Sequence, residues 1–339
     1  MRRLTAVLLA VLSLAGPAVA RDDADREFGD WWVGCDNVRV CTAYGFATED
    51  GDGVALRVRR GAGRGAPPVF DVILGSEQSE GVEGALELLV DGKAVGRTGL
   101  PQEAADAFRA WDVPGGEALA AAIAQGSVLT LKVGDRAVAT VSLAGSSAAL
   151  RWMDDQQKRA GGVTALVAKG PASAAALPPP SALPLVRAAR AVDQEGLGEI
   201  PPPAVLKLAR TRDCSDDPPD GPTAARLAPG IVMWIVPCWV GPYNVTSVLV
   251  LADEKGAHAR LADLGGADPA EERAMATNAE YDAEHQSLYS YAKGPGAGDC
   301  GISFTHVWTG RGFVLASRSE LSACRGLPGD FWVDTYRSR

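Results

Sequence analysis

The side chains best suited to chemistry in this sequence are six cysteines and three histidines. Cys35 and Cys41 flank a polar turn in "WWVGCDNVRVCTAYGF", while Cys214, Cys238, Cys300 and Cys324 lie late in the chain. Structural zinc takes ligand pairs about two to four residues apart. Five residues separate Cys35 from Cys41, and no histidine is near them. A thiol-exchange centre favours a Cys-x-x-Cys pair at a helix start, where the thiolate is stabilised, and the sequence has none. The spacing fits disulfides better. An extended chain would hold Cys35 and Cys41 about 20 Å apart, whereas a bridge needs Cα atoms within about 7 Å. Residues 36–40 must therefore reverse the chain, and Asp-Asn is suitable turn material. The late four cysteines leave three pairings open. Proximity in the chain favours Cys214 with Cys238 and Cys300 with Cys324.

Other chemistries find less support. His258, His285 and His306 fall in separate predicted hairpins, so they form a metal site only if the fold gathers them. No G-x-S-x-G elbow occurs. "GISFT" at 301–305 comes nearest, but Ser303 and His306 lie three apart in a predicted strand and face opposite sides. "GAGRGA" and "GPGAG" sit between strands, as turns, rather than opening a helix where a phosphate would dock. Asp154 and Asp155 in "WMDDQQKR" diverge on a helix and read as solvated charges or as partners of Lys158 or Arg159. No catalytic residue, cofactor or metal is expected. Among the tryptophans, Trp308, with Arg311 at a hairpin end, is the candidate partner contact, since Trp and Arg dominate binding hot spots.

The elements that must position these residues are mainly β. Strands are predicted at 54–59, 69–74 and 86–90, with Asp91-Gly92 as a hairpin turn. Helices are predicted at 102–111, 117–125 and 146–159, and a further hairpin at 128–133 and 137–143. Arg57, Arg59, Arg60 and Arg64 read as a solvated strand edge and turn. "GPASAAALPPPSALP" and "IPPP" mark residues 169–203 as a Pro/Ala-rich linker with room for one short helix. Beyond it, strands at 231–237, 243–251 and 257–264 and hairpins about 282–285 and 309–312 predict an antiparallel meander.

The first twenty residues carry Arg2-Arg3, an apolar run and Ala18-Val19-Ala20, the pattern of a cleaved secretory leader. No later stretch is long and apolar enough to span a membrane. Removing the leader takes two arginines and no acid, leaving 31 basic against 42 acidic residues and a net charge of −11. Such a chain repels nucleic acid, and polyanions too unless a local basic patch exists. Export, paired cysteines and a high Ala, Gly and Arg content point to a bacterial periplasm.

"FGDWWVGCDNVRVCTAYGF", "PCWVGPYN", "GDCG", "VWTGRGFVL" and "CRG", spread in order from Phe28 to the C-terminus, resemble the domain of unknown function 1176 family of exported bacterial proteins. Within that span, "GGEALAAAIAQGSVLTLKVGDRAVATVSLAGSSAALRWMDDQQKRAG" looks like the invasion-associated locus B family. This second resemblance implies a compact β-rich envelope domain with a small helical ending. Neither resemblance supplies a catalytic residue. The expected architecture is mainly β (α+β). A β-sandwich-like unit at 21–168 joins, through the 169–203 linker, an antiparallel β-meander unit at 204–339. The expected function is a non-enzymatic envelope module binding a protein or glycan. The alternative is a hydrolase of peptidoglycan or an ester, with its site assembled from separate strands.

Overall fold

Runs of alternating apolar residues, punctuated by Gly, Asp and Asn at positive φ, build hairpin after hairpin along this chain. The computed structural model describes residues 24–48, 53–75, 84–99, 108–215, 221–265, 272–295 and 298–339. The leader expected at 1–20 lies outside the described residues. The first strands are β1 (Asp25–Phe28), β2 (Trp31–Cys35), β3 (Cys41–Phe46), β4 (Ala55–Arg60), β5 (Pro68–Gly75), β6 (Ala85–Val90), β7 (Lys93–Gly99) and β8 (Phe108–Val113). Helix α1 (Gly116–Gln125), β9 (Val128–Val133), β10 (Arg136–Ser142) and helix α2 (Ser146–Gln156) follow. They form a six-stranded sheet ordered β1-β2-β3-β4-β5-β8 and a four-stranded sheet ordered β10-β9-β6-β7.

The two sheets face each other across one apolar core. Val33, Leu56, Phe70 and Val72 come from the first sheet, and Leu86, Leu88, Leu131 and Val141 from the second. Both helices bury one stripe into it: Leu119 and Ile123 of α1, and Ala149, Leu150 and Met153 of α2. The spacing of about one turn places those residues on one helical face. Helix α1 stops at Gly126, whose N–H returns to the carbonyl of Ala122 at 2.9 Å. The Asp91-Gly92 turn closes β6 on β7 with φ of 48° and 79°, the pair of positive angles that favours glycine and aspartate in a two-residue hairpin.

Three local expectations are corrected. The described part of the predicted 102–111 helix is strand β8, paired along β5 from Gly75↔Phe108 to Phe70↔Val113. Pairing with an open strand and burial of Trp111 and Val113 outweigh the helical preference of Ala110. Strand β4 is central, so its arginines are not a solvated edge. Arg57 and Arg59 both bind Asp71 across the strand, at 3.0 and 2.9 Å, and Arg60 is buried. Asp154 is no solvated charge either. Its carboxylate accepts backbone N–H groups of Leu166, Val167 and Ala168 and lies 3.7 Å from Arg60. Next to it, Arg159 donates to Gln157, Thr164 and the carbonyl of Gly63.

The chain then runs largely extended to helix α3 (Pro203–Ala209), with one 3-10 turn at Ala174–Ala176. Beyond lie β11 (Thr223–Ala228), β12 (Ile231–Val240), β13 (Val245–Ala252), β14 (Arg260–Leu261), β15 (Met275–Thr277), β16 (Glu280–Asp282), β17 (Ser287–Lys293), β18 (Gly301–Trp308), β19 (Phe313–Leu321) and β20 (Val333–Arg337). One sheet is ordered β11-β12-β13-β14, with β15 also paired to β13; the other is ordered β16-β17-β18-β19-β20. Both are antiparallel meanders. They meet face to face through Met233, Ile235, Leu249, Leu251, Leu288, Trp308 and Phe313.

The N- and C-terminal sheets also touch. The outer face of the six-stranded sheet presents Trp32, Tyr44, Phe46, Ala55 and Ile73 to Leu321, Leu327 and Val333. Tyr44 donates its hydroxyl to the carbonyl of Phe331, and the Trp32 indole donates to Ser322 and Asp25. At one end, Arg337 reaches the turn inside the Cys35–Cys41 loop. Its Nε lies 2.6 Å from Asp36, and Asn37 exchanges two hydrogen bonds with its backbone.

Candidate functional site

The six cysteines form three bridges, each between chain neighbours: Cys35–Cys41, Cys214–Cys238 and Cys300–Cys324. The first ties the ends of β2 and β3 directly opposite each other, with Cα atoms 4.0 Å apart. Its loop holds Asp36, which accepts from Val38 and Val40 and receives Arg337. The loop is thus a docking turn. Asp299 lies beside Cys300 and Cys324 in a grouping that would suit a metal by residue type, but the two sulfurs are bonded to each other.

The histidines stand in different settings. His285 is exposed in the β16–β17 turn, 2.6 Å from Asp282. His258 is exposed at a positive φ before β14. His306 is buried on β18, stacked on Phe304, and Nδ1 finds no hydrogen-bond partner among the described residues. Burial pulls its pKa from 6.5 down to about 4. The unfolded chain therefore binds more protons than the folded chain between these values, so stability falls as pH drops through that window. The gap corresponds to about 3 kcal/mol. Unfolding free energy measured from pH 7 to pH 4 should show this loss, and His306→Phe should remove much of it. An unchanged pH slope in the variant would refute the assignment.

The site with the best-defined geometry lies where the two C-terminal sheets part. A cleft of about 330 Å³ is lined by Leu251, Arg260, Asp263, Gly265, Trp308, Arg311, Gly312 and Phe313. Trp308 and Phe313 face each other across the β18–β19 ladder, ring centroids 5.3 Å apart. The tight turn between them is fixed by Thr309, whose N–H and hydroxyl both donate to the Gly312 carbonyl, at 3.1 and 2.9 Å. Gly310 takes φ +89° in this turn, a conformation that L side chains rarely adopt. Arg311 follows it and is exposed at the cleft. On the opposing sheet, β14 pairs Arg260 with Leu251, which puts the Arg260 side chain on the same face as that core residue.

The charge pattern follows from these placements. Asp263 is engaged by Arg273 at 3.3 Å and accepts the N–H of Gly265. Neither Arg260 nor Arg311 has an acidic partner among the described residues. The Trp308 indole N–H is buried without an acceptor among the described residues, and Gln286 Oε1 is buried without a donor, although the backbone carbonyl of Gln286 accepts the backbone N–H of Trp308. An unmet buried polar atom costs about 1–3 kcal/mol, so such atoms next to a cleft call for an explanation.

Trp308 and Arg311 therefore fall at one site, with a change of role for the tryptophan. It is only 1 % exposed, so it forms the buried wall of the cleft rather than a protruding anchor. Arg260 was not legible as a partner, because a single arginine in "AHARL" carries no local signal. Ser303 does not meet His306: its hydroxyl donates to Ser319 on the neighbouring strand.

Comparison with known proteins agrees with the whole-chain pattern. The chain is 30% identical over 348 residues to the Escherichia coli (strain K12) protein named "Uncharacterized protein YpfG", covering 93% of each. Among solved structures, that of invasion associated protein B from Bartonella henselae matches 40% of this chain and 98% of its own, at 23% identity and a TM-score of 0.31. The family model described as "Protein of unknown function (DUF1176)" matches residues 25–339, from the first strand to the last residue, and the chain belongs to that family.

Proposed function

We propose that the protein is a non-enzymatic binding module of the bacterial envelope, and that it holds an oxyanion-bearing ligand in the cleft between Arg260 and Arg311. The observation that carries this reading is two guanidiniums without acidic partners among the described residues, beside a Trp308–Phe313 wall. Guanidinium forks suit phosphate and carboxylate groups. The wall suits an apolar or ring-shaped body, as in small-ligand pockets generally. Export to the periplasm after loss of residues 1–20 fits six cysteines all engaged in bridges. We also take 21–168, 169–203 and 204–339 as binding-scaffold unit, connector and ligand-holding unit.

Inorganic phosphate and a soluble muropeptide, which carries carboxylates, are the probes. At saturation one or both should raise the melting temperature of the mature chain by about 5 °C. Arg260→Ala with Arg311→Ala should abolish the shift, while the mass of the muropeptide stays unchanged. Cleavage of the muropeptide would favour the hydrolase reading. A shift that survives both substitutions would move the site elsewhere.

A further inference from the structure

The sheet that carries Trp308 turns its other face outward. In strand β17, Leu288 and Ser290 are buried toward the core, so Tyr289 and Tyr291 point away from it. Tyr289 is 42 % exposed, and the two rings lie side by side with centroids 5.7 Å apart. The antiparallel register continues each tyrosine into a row across three strands. Tyr289 opposes Thr305, which opposes Ser317; Tyr291 opposes Ser303, which opposes Ser319. The next row, ending in Val314, is uncharged as well. Among the described residues of this face, charges stand at the margin, with Glu280 on β16, Asp334 and Arg337 on β20, and Lys293 5.8 Å from the Tyr291 ring centroid. Ser303 and Ser319 donate to neighbours within the sheet. The two phenol hydroxyls and those of Thr305 and Ser317 have no hydrogen-bond partner among the described residues.

A neutral centre on an outward sheet face is unexpected in a chain with 22% charged residues, because solvated faces ordinarily take up charges. Tyrosine with serine is instead a composition of binding surfaces: the rings give rigid amphipathic contact at low entropy cost, and the hydroxyls give adaptable hydrogen bonds. The charge pattern selects the partner. A protein interface centres on apolar groups, whereas this centre is mostly hydroxyl. A polyanion calls for guanidinium or ammonium groups, and acids stand beside the bases at this margin. A sugar chain offers ring C–H faces to the tyrosines and hydroxyls to the hydroxyls. An uncharged one also escapes the repulsion that an acidic glycan meets from a chain of net charge −9. We propose that this face binds a neutral glycan chain, with sugar rings on Tyr289 and Tyr291 and sugar hydroxyls on Thr305 and Ser317. The face lies on the opposite side of β17 and β18 from the Arg260–Arg311 cleft and does not depend on it.

Titration calorimetry on the full mature chain tests this. The neutral probes are cellohexaose, maltohexaose and hexa-N-acetylchitohexaose, and hexagalacturonate is the charged comparison. At least one neutral hexamer should bind, about tenfold tighter than hexagalacturonate and with an affinity that salt does not change. Tyr289→Ala with Tyr291→Ala should weaken it about tenfold. The melting temperature of that variant should stay within about 3 °C, because both rings lie on the outer surface. Arg260→Ala with Arg311→Ala should leave the hexamer unaffected, which separates this face from the cleft. Binding of none of the three neutral hexamers, a preference for hexagalacturonate, or an affinity that survives the double tyrosine change would overturn the proposal. An envelope protein that crosslinks to this face while no hexamer binds would assign the face to a protein and overturn it as well.

Discussion

Asp154→Ala should destabilise the N-terminal sheets by about 3–5 kcal/mol, among the largest single-residue effects expected in this protein. The carboxylate has no solvent exposure. It accepts from three successive backbone N–H groups, at 2.8, 3.0 and 3.3 Å, and so fixes the path of the chain after α2. It is also the negative charge facing Arg60 and Arg159, both buried. Burial, with Arg159 adding to it, already lowers the Arg60 pKa to about 10, and Asp154 opposes that shift. Removing the acid takes from two buried cations their nearest counter-charge and from three N–H groups their acceptor. Urea unfolding should show a lower midpoint at an unchanged slope. Asp155→Ala, one residue on but exposed, should stay within about 0.5 kcal/mol. If the two variants behaved alike, Asp154 would not have the role described.

The second large effect is expected where the N- and C-terminal sheets meet. Trp32→Ala removes a fully buried ring and its bonds to Asp25 and Ser322, at a cost of about 3–5 kcal/mol. The loss should appear first as separation of the two halves. Limited proteolysis should cut within 169–203 in the variant before either half unfolds. Arg337→Ala tests the other end of the contact and should cost about 2 kcal/mol at neutral pH, because Arg337 is partly exposed and Asp36 is not. Burial pushes the Asp36 carboxyl above its usual pKa even with Arg337 present. The folded state therefore takes up its proton more readily than the unfolded chain, and the stability linked to Asp36 falls as pH rises through that window. Without Arg337 the window extends upward. The deficit of the variant should thus be largest near pH 7 and shrink toward pH 4. A pH-independent deficit would show that the lost interaction is not with the Asp36 charge.

Local chemistry made much of this fold legible. Asp91-Gly92 and Thr309-Gly310-Arg311-Gly312 announce their turns because few other residues take those angles. The bridges join chain neighbours because hairpins bring chain neighbours together. What the sequence hid depends on distant partners. "WWVGC" and "CTAYGF" are buried on every residue, which marks strands covered on both faces. The cover, Leu321 to Val333, lies almost 300 residues away, and no local pattern names it. The same holds for Asp154, whose acceptor role depends on a loop that folds back, and for β8, whose helical composition yields to an open strand. At the cleft, the turn bearing Trp308 and Arg311 was readable, but Arg260 joins it only through sheet packing.

The grip of Arg337 on the turn at Asp36 and Asn37 spans about 300 residues of sequence. It also sets an order of events during synthesis. The N-terminal sheets can pair as soon as they emerge, but the face bearing Trp32, Tyr44 and Phe46 stays uncovered until the last strand arrives. That apolar surface is exposed for most of the time the chain is being made. Contacts of such long range form late, and apolar surface left open in the meantime invites aggregation. A chain truncated by even its final strand would keep its bridges and its first core, yet should behave as an aggregation-prone chaperone substrate rather than as a finished protein.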